Sequence, residues 1–296
     1  MRKRIINYSL QATFIVLSTL AVTAAWAAEY KASGIVLKID PPHHSMIVSC
    51  RDIPGFMEAM AMPINVRDAK ALDSIRPGAM IDFTLVVNKE DSYAEDITIK
   101  GYDSAEREPA KARRLQTFEE ILASKDAPKM LATGDPVPSF TLTDQKNRPV
   151  SLSQFTGKVV ALNFIYTRCA LPDYCYRMSN HFGNLQRRFK PQMGRELVLL
   201  TVTFDPVHDR PETLAEYATT WKADPETWHF LTGSPSDVEH VCDLFGVSFF
   251  PEEGLLTHSL HTAVIDRKGK LVTNLEGNEF TAQQLGDLVE TVMKSP

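Results

Sequence analysis

Two uninterrupted apolar runs constrain the fold of this chain more than any other feature. They are KVVALNFIYT at residues 158–167 and ELVLLTVTFD at residues 196–205. A strand with one face in water alternates apolar and polar residues, whereas a strand covered on both faces is apolar throughout. Both runs are therefore predicted to be buried strands of a parallel sheet.

Helical patterns follow each of these runs. Helices are predicted over residues 176–189, 210–221, 234–247 and 281–293, and a β-hairpin made by residues 258–266 and 271–277 precedes the last helix. A further hairpin, starting near residue 139, leads into the first buried strand. The order strand, helix, strand, helix, β-hairpin and helix predicts an α/β thioredoxin-like domain over residues 134–296.

The chain before residue 103 has a different pattern. Residues 30–102 contain five short, alternating strand segments separated by turns such as PPHHS, RPG and KEDS. Five short strands in about 70 residues predict a small all-β barrel of OB type, which we assign to residues 28–102. Residues 103–133 are charged, carry two prolines and are predicted to form a partly helical linker.

The extreme N-terminus has the features of an export signal. Arg2, Lys3 and Arg4 precede the apolar stretch ATFIVLSTLAVTAAWAA, and Ala25-Trp26-Ala27 fits a cleavage site, which predicts a signal peptide over 1–27. The alternative is an uncleaved membrane anchor, and either outcome places the rest of the chain outside the cytosol, in the periplasm. The net charge is −5 and no basic run lies beyond the N-terminus, which argues against nucleic-acid binding.

Two of the four cysteines lie together in YTRCALPDYCYRMS at residues 166–179. Five residues separate Cys169 from Cys175, too many for a C-x-x-C redox or zinc motif. The segment follows a predicted buried strand and precedes a helix, where sites form in open α/β sheets. A helix N-terminus and the neighbouring Arg168 are expected to lower the thiol pKa values, giving soft thiolate donors suited to Cu(I).

A metal site needs a third ligand, and histidine is the commonest partner of cysteine. Of the eight histidines, His208 lies in a loop after a strand, and His258 and His261 lie at the start of the closing hairpin. His208 is expected near the same face as the cysteines, and either His258 or His261 could reach them across the sheet. Spacing alone leaves the choice open. Core or surface positions are predicted for the five others, which are His43, His44, His181, His229 and His240.

Three segments, taken in order, resemble the Sco/SenC family: FIYTRCALPDYCYRMS, TVTFDPVHDRPETLAEY and THSLHTAVIDRKGKLV. The resemblance implies an exported thioredoxin-like copper protein that serves cytochrome c oxidase assembly. It implies copper ligation by Cys169, Cys175 and His258, with His261 as a bystander. The sequence departs from the family pattern in its wide cysteine spacing and in having Ala170 and Tyr176 where related chains have proline, which concerns the rigidity of the loop.

A second group of soft donors lies in VSCRDIPGFMEAMAMPINV. Met60 and Met62 are two residues apart and would share one face of a strand, with Met57 and Cys50 nearby. These residues either fill the core of the barrel or form a thioether site for Cu(I). The segment resembles the CusF-like periplasmic copper-binding domain, in which a histidine and an M-x-M pair hold copper under a tryptophan. Cys50 takes the place of that histidine and Met57 that of the tryptophan.

These features together predict a two-site copper metallochaperone that delivers copper to a cytochrome c oxidase subunit or another copper-site protein. The alternative is a thiol–disulfide oxidoreductase that keeps the cysteines of a copper site reduced. It would cycle between a Cys169–Cys175 dithiol and a Cys169–Cys175 disulfide, and a periplasmic thiol reductase would be its partner. A peroxidase is disfavoured, because Thr167 lies too close to Cys169 for a T-x-x-C motif. Cys242, on a predicted helix among apolar neighbours, is predicted to be a buried inert thiol.

Overall fold

The computed structural model describes residues 27–88, 91–101, 130–252 and 254–295. The predicted signal peptide over 1–27 and the predicted linker over 103–133 lie almost entirely outside these ranges. Within the described part of the chain, no helix is both long and apolar enough to cross a membrane.

The N-terminal part is a closed five-stranded barrel with the strand order β1-β2-β3-β5-β4. Its strands alternate inward and outward side chains, so that Met46, Val48 and Ile64 are buried inside it. Gly34 lets β1 and β2 approach closely, since a Cβ there would lie 2.5 Å from a Val48 methyl. The predicted small all-β domain is confirmed. Its strands are β1 Ala28–Asp40, β2 Ser45–Cys50, β3 Met60–Val66, β4 Met80–Val87 and β5 Ser92–Ile99.

The C-terminal part is built on a seven-stranded sheet with the order β14-β13-β8-β9-β10-β6-β7. The two apolar runs form its central parallel strands, β8 and β9, and every residue of both strands is buried. The strands of this part are β6 Thr141–Asp144, β7 Pro149–Ser151, β8 Val159–Ile165, β9 Leu197–Thr203, β10 Trp228–Thr232, β11 Phe249–Glu252, β12 Leu255–His258, β13 His261–Ile265 and β14 Leu271–Glu276.

Helices cover both faces of this sheet, which is why β8 and β9 carry no polar face. They are α1 Arg177–Arg188, α2 Pro211–Thr220, α3 Pro235–Leu244 and α4 Ala282–Lys294. Helix α3 packs on one face with Leu162 and Leu200, while α1, α2 and α4 pack on the other with Ala161 and Leu199. The predicted α/β thioredoxin-like arrangement is confirmed.

The structure corrects two details of the sequence-based prediction. Strand β10 was not predicted, because a buried run of only five residues carries little periodic signal. Residues 258–266 were predicted as one strand, but His258 ends β12 and His261 begins β13. Strands β11 and β12 pair with each other in a two-stranded sheet apart from the seven-stranded one.

The barrel packs directly against the second domain. Ile35 and Leu37 of β1 belong to the same apolar cluster as Leu285, Leu288 and Val289 of α4. Polar contacts surround this cluster, including a 2.6 Å hydrogen bond from Ser49 Oγ to Asp287 Oδ2. The two domains therefore share a buried interface in addition to being covalently connected.

Candidate metal centre

The two predicted thiols lie in the segment that connects β8 to α1. After β8 ends at Ile165, the chain forms a loop and then a wide helical turn over Pro172–Tyr176 that contains Cys175. The helical conformation is interrupted at Tyr174, where φ is −105° and ψ is −114°. Cys175 is buried with 1% of its surface exposed, whereas Cys169 is partly exposed.

The β11–β12 hairpin brings His258 to these thiols from a distant part of the chain. One sulfur or nitrogen atom from each of Cys169, Cys175 and His258 lies within 4.8 Å of the other two. Cys175 Sγ is 3.8 Å from His258 Nε2. Two sulfurs and one imidazole nitrogen form a soft donor set, which is suited to Cu(I).

The tautomer of His258 follows from its hydrogen bonding. His258 Nδ1 lies 2.8 Å from the carbonyl oxygen of Ser259, and because a carbonyl only accepts, Nδ1 carries the proton. The lone pair is then on Nε2, the atom that faces Cys175. Aromatic rings enclose the imidazole, with Phe204 4.6 Å, Tyr166 5.7 Å and Tyr174 6.0 Å away between ring centroids. The ring is therefore oriented and largely shielded from water before any metal binds.

The two thiols differ in acidity. Hydrogen bonds from the side chain and the backbone of Cys175 lower the pKa of Cys169 well below its usual range. Burial raises the pKa of Cys175, and the neighbouring Cys169 raises it further. Cys169 is thus the thiolate of the pair, and the expectation of a lowered pKa is wrong for Cys175.

Arg168 has a structural role that the sequence did not indicate. Its guanidinium binds Asp205, with 2.7 Å between Nη2 and Oδ2, and also contacts His208 Nδ1 at 3.1 Å. The largest contribution to the low pKa of Cys169 is the hydrogen bond from Cys175. Arg168 ties the cysteine loop to the loop that follows β9.

Asp209 is a structural residue of the site that the sequence analysis missed. Its buried carboxylate accepts hydrogen bonds from Thr167 N at 3.0 Å, Thr167 Oγ1 at 2.5 Å and Thr203 Oγ1 at 2.5 Å. These bonds join the ends of β8 and β9 just before the cysteine loop. The available signal was the pair of acids, Asp205 and Asp209, in the stretch FDPVHD that follows a buried strand.

The other candidate histidines lie outside the cluster. His208 is exposed and lies 2.8 Å from Asp205 Oδ1. His261 is buried at the start of β13, where burial lowers its pKa to about 4. His181 and His229, for which core or surface positions were both open, are also buried.

The soft donors of the barrel lie at the end of β2, in β3 and in the turn between these two strands. Cys50 and Met60 are directly paired across the two strands, and Met62 pairs with Val48, so their side chains share one face. Cys50 is 1% exposed and burial raises its pKa to about 12, whereas Met60 is 50% exposed. Met57 is partly buried and closes a short turn by pairing with Ile53.

All four cysteines of the chain are free thiols in the structure. Cys242 is fully buried and burial raises its pKa, in agreement with the predicted inert thiol. The disulfide between Cys169 and Cys175 that an oxidoreductase would use stays a prediction.

The fold and the cluster together define a class: a thioredoxin-like protein that gathers two thiols and an imidazole where its central strands end. Residues 129–294, more than half of the chain, match the SCO1/SenC family profile, and the chain belongs to that family. Residues 29–99 match the profile of the copper binding periplasmic protein CusF. Both predicted resemblances are confirmed. So is copper as the predicted cofactor, since the description of the second profile names this metal.

The individual proteins compared next are each less than 30% identical to this chain. The SCO1 protein homolog of Bacillus subtilis is 29% identical over 153 residues, which cover 49% of this chain and 76% of that protein. A putative copper-binding protein of Stutzerimonas stutzeri is 27% identical over 140 residues, covering 46% and 66%. A solved Sco structure, described as a member of the Sco family of cytochrome c oxidase assembly proteins with a disulfide switch, is 25% identical. It covers 57% of this chain and 99% of that one, with a TM-score of 0.48.

Proposed function

We propose that this chain is an exported copper metallochaperone with two copper sites. The main site consists of Cys169, Cys175 and His258, and its cargo is delivered to a copper centre of cytochrome c oxidase or of another copper protein. The observation that carries the proposal is the convergence of two sulfurs and one oriented imidazole nitrogen within 4.8 Å. Membership of the SCO1/SenC family supports the same role.

The domain assignment follows this proposal. A signal peptide over 1–27 precedes a CusF-like barrel over 28–102, a linker over 103–133 and the Sco domain over 134–296. The closed strand order β1-β2-β3-β5-β4 supports the OB type for the barrel. The match to a periplasmic copper-binding protein supports a periplasmic location.

The first prediction concerns the third ligand. His258→Ala should weaken Cu(I) binding at the main site by more than about 100-fold, because changes to residues that only support a ligand already cost about 10–100-fold. The measurement is competition for Cu(I) with a chromophoric chelator. The matched control is His208→Ala, an exposed histidine next to Arg168 that should keep wild-type affinity. Wild-type affinity in His258→Ala would exclude this ligand set.

The second site is proposed at Cys50, Met57, Met60 and Met62 of the barrel. Met60 is the exposed member and lies opposite Cys50, so its loss should remove this site while leaving the core packed. Met60→Leu should lower the copper stoichiometry from two ions per chain to one, as measured by metal analysis after dialysis. Met46→Leu, which changes a methionine 1% exposed inside the same barrel, is the control and should still bind two. Two ions in both variants would place the second copper elsewhere.

The difference between the two thiols favours a second candidate function, reduction of disulfides in a partner. The Cys169 thiolate would attack the partner's disulfide and form a mixed disulfide, releasing one partner thiolate. Cys175 would then attack the mixed disulfide, freeing the second partner thiol and leaving a Cys169–Cys175 disulfide. A periplasmic thiol reductase would restore the dithiol. His258→Ala separates the two functions, since disulfide exchange requires only the cysteines.

A further inference from the structure

The part of the barrel that carries Cys50 and Met60 contacts the first turn of helix α4. Gln284 Nε2 donates to the carbonyl oxygen of Ser49 at 3.1 Å, and Gln283 Nε2 donates to that of Ala59 at 2.9 Å. Ser49 directly precedes Cys50, and Ala59 directly precedes Met60. Two consecutive side chains of α4 therefore hold both strands of the proposed second site.

The segment just before α4 reaches the cysteine loop of the main site. Asn278, which is 9% exposed, donates from Nδ2 to the carbonyl oxygen of Asp173 at 2.7 Å. Asp173 precedes Tyr174, the residue at which the helical turn is interrupted, and lies two residues before Cys175. The Tyr174 ring also packs edge-on to His258. The Asn278 bond thus fixes the stretch of backbone that presents one ligand and packs against another.

The residue next to Asn278 is held from the barrel. The guanidinium of Arg51 donates to the carbonyl oxygen of Glu279, and Arg51 directly follows Cys50. Lys100, also in the barrel, lies 3.9 Å from the Glu279 carboxylate. A continuous set of contacts therefore runs from Cys50 and Arg51 through Glu279 and Asn278 to the loop of Cys175.

We infer that Asn278 is a positioning residue for the Cys169–Cys175 loop, and that Arg51 transmits the position of the barrel to it. The docked barrel then sets how firmly the main site holds its metal and how readily its thiols are oxidised. The inference rests on the proposed function in taking copper as the cargo. The oxidation equilibrium of the metal-free thiols provides a readout that does not depend on copper.

The test uses the full chain with variants that remove only the hydrogen-bond donors. Asn278→Leu keeps the side-chain volume, and Arg51→Met keeps the unbranched stem. The matched controls are Asn184→Leu, a partly buried asparagine that donates to Asn180 O, and Arg67→Met, an exposed barrel arginine that pairs with Glu95. Copper affinity of the main site is measured in a Met60→Leu background, which removes the proposed barrel site.

The second readout is the midpoint potential of the metal-free thiol pair, equilibrated with a dithiothreitol buffer. In this exchange the protein disulfide gains two electrons and two protons, and dithiothreitol is oxidised. We expect Asn278→Leu to lower copper affinity about 10-fold, the range for residues that orient metal ligands, and to shift the midpoint potential. Arg51→Met should change both quantities in the same direction by a smaller amount. The double variant should be no worse than Asn278→Leu alone, because both act along one path.

Three results would overturn the inference. The first is wild-type affinity and potential in Arg51→Met. The second is a double variant whose effect is the full product of the single effects, which would make the residues independent. The third is an Asn278→Leu protein that melts at lower temperature but keeps wild-type affinity and potential, which would make Asn278 purely structural. If Asn278→Leu does not fold, Arg51→Met against Arg67→Met decides. If the wild type binds no copper, the proposed function fails, and the potential still tests the coupling.

Discussion

The chemistry of the site depends on an asymmetry between two residues of the same type. Cys169 is partly exposed and accepts hydrogen bonds from its neighbours, so its negative charge is stabilised where solvent and partners can reach it. Cys175 is buried and keeps its proton to higher pH. At the proposed site, an incoming metal ion or disulfide would therefore meet Cys169 first, and Cys175 and His258 would complete the contact with a metal from inside.

Alkylation with iodoacetamide measures this asymmetry. Because the pKa of Cys169 is lowered, its reaction rate should stay on a plateau well below pH 7 and fall only in more acidic solution. Cys175→Ala removes the main stabilising hydrogen bond, so the midpoint of the rate profile should move to higher pH. Cys50 and Cys242 serve as internal references and should stay unmodified in the folded chain because they are buried. An unchanged profile in Cys175→Ala would contradict this account of the charge.

At the scale of elements, the cysteine loop is held in place by hydrogen bonds to a second loop. The segment after β8 carries Cys169, and the segment after β9 binds it through Asp205 and Asp209. The barrel also contacts the second domain through a turn, the one before β4, which packs closely against β14. Gly78 lies in that turn with φ at +87°, and a Cβ added there would be 2.1 Å from Thr273 Oγ1.

Gly78→Ala should therefore weaken the docking of the barrel. The left-handed φ and the overlap with Thr273 both oppose the methyl group, and overlap of this kind costs about 1–3 kcal/mol. Gly55→Ala is a matched control, since Gly55 has φ at +78° but open space around it. The difference between the two variants in free energy of unfolding, from urea titration, isolates the overlap. Equal losses in both would show that the turn does not press on β14.

At the scale of the whole molecule, folding buries imidazoles that water would otherwise protonate. Burial, with a smaller contribution from the charge of Arg177, lowers the pKa of His181 from 6.5 to about 4. The unfolded chain then binds more protons than the folded chain between these two values. Stability is therefore lost as the pH falls from 6.5 to about 4, with the sign opposite to that of a histidine that gains a carboxylate partner.

The pH dependence of unfolding tests this linkage. His181→Gln removes the titrating group, so the decrease in stability between pH 6.5 and 4.5 should be smaller than in the wild type. At about 1.4 kcal/mol per pKa unit, the full effect below pH 4 is at most about 3.5 kcal/mol. Urea unfolding at several pH values provides the free energies. A variant with the wild-type slope would show that His181 does not carry the effect.

Much of this molecule could be predicted from its sequence, and the exceptions have physical reasons. The apolar runs of β8 and β9 predicted strands that are covered by helices on both faces. The order of strands and helices around them predicted the thioredoxin-like domain. Spacing could not choose between His258 and His261. Which of them lies at the cysteines depends on where β12 ends and β13 begins. The contact of Asn278 with Asp173 joins residues 105 positions apart, and no local pattern encodes it.

The small sheet formed by β11 and β12 has a consequence for how metal could leave. Two-stranded sheets are marginally stable alone, and this one pairs with itself rather than with the seven strands of the domain. Opening it would withdraw His258 without breaking a hydrogen bond of the central sheet. Amide protons of β11 and β12 should then exchange with solvent through local opening, while those of β8 and β9 wait for global unfolding. The third ligand of the proposed site would thus lie on a hairpin that can open separately from the central sheet, which would suit a carrier that must release what it binds.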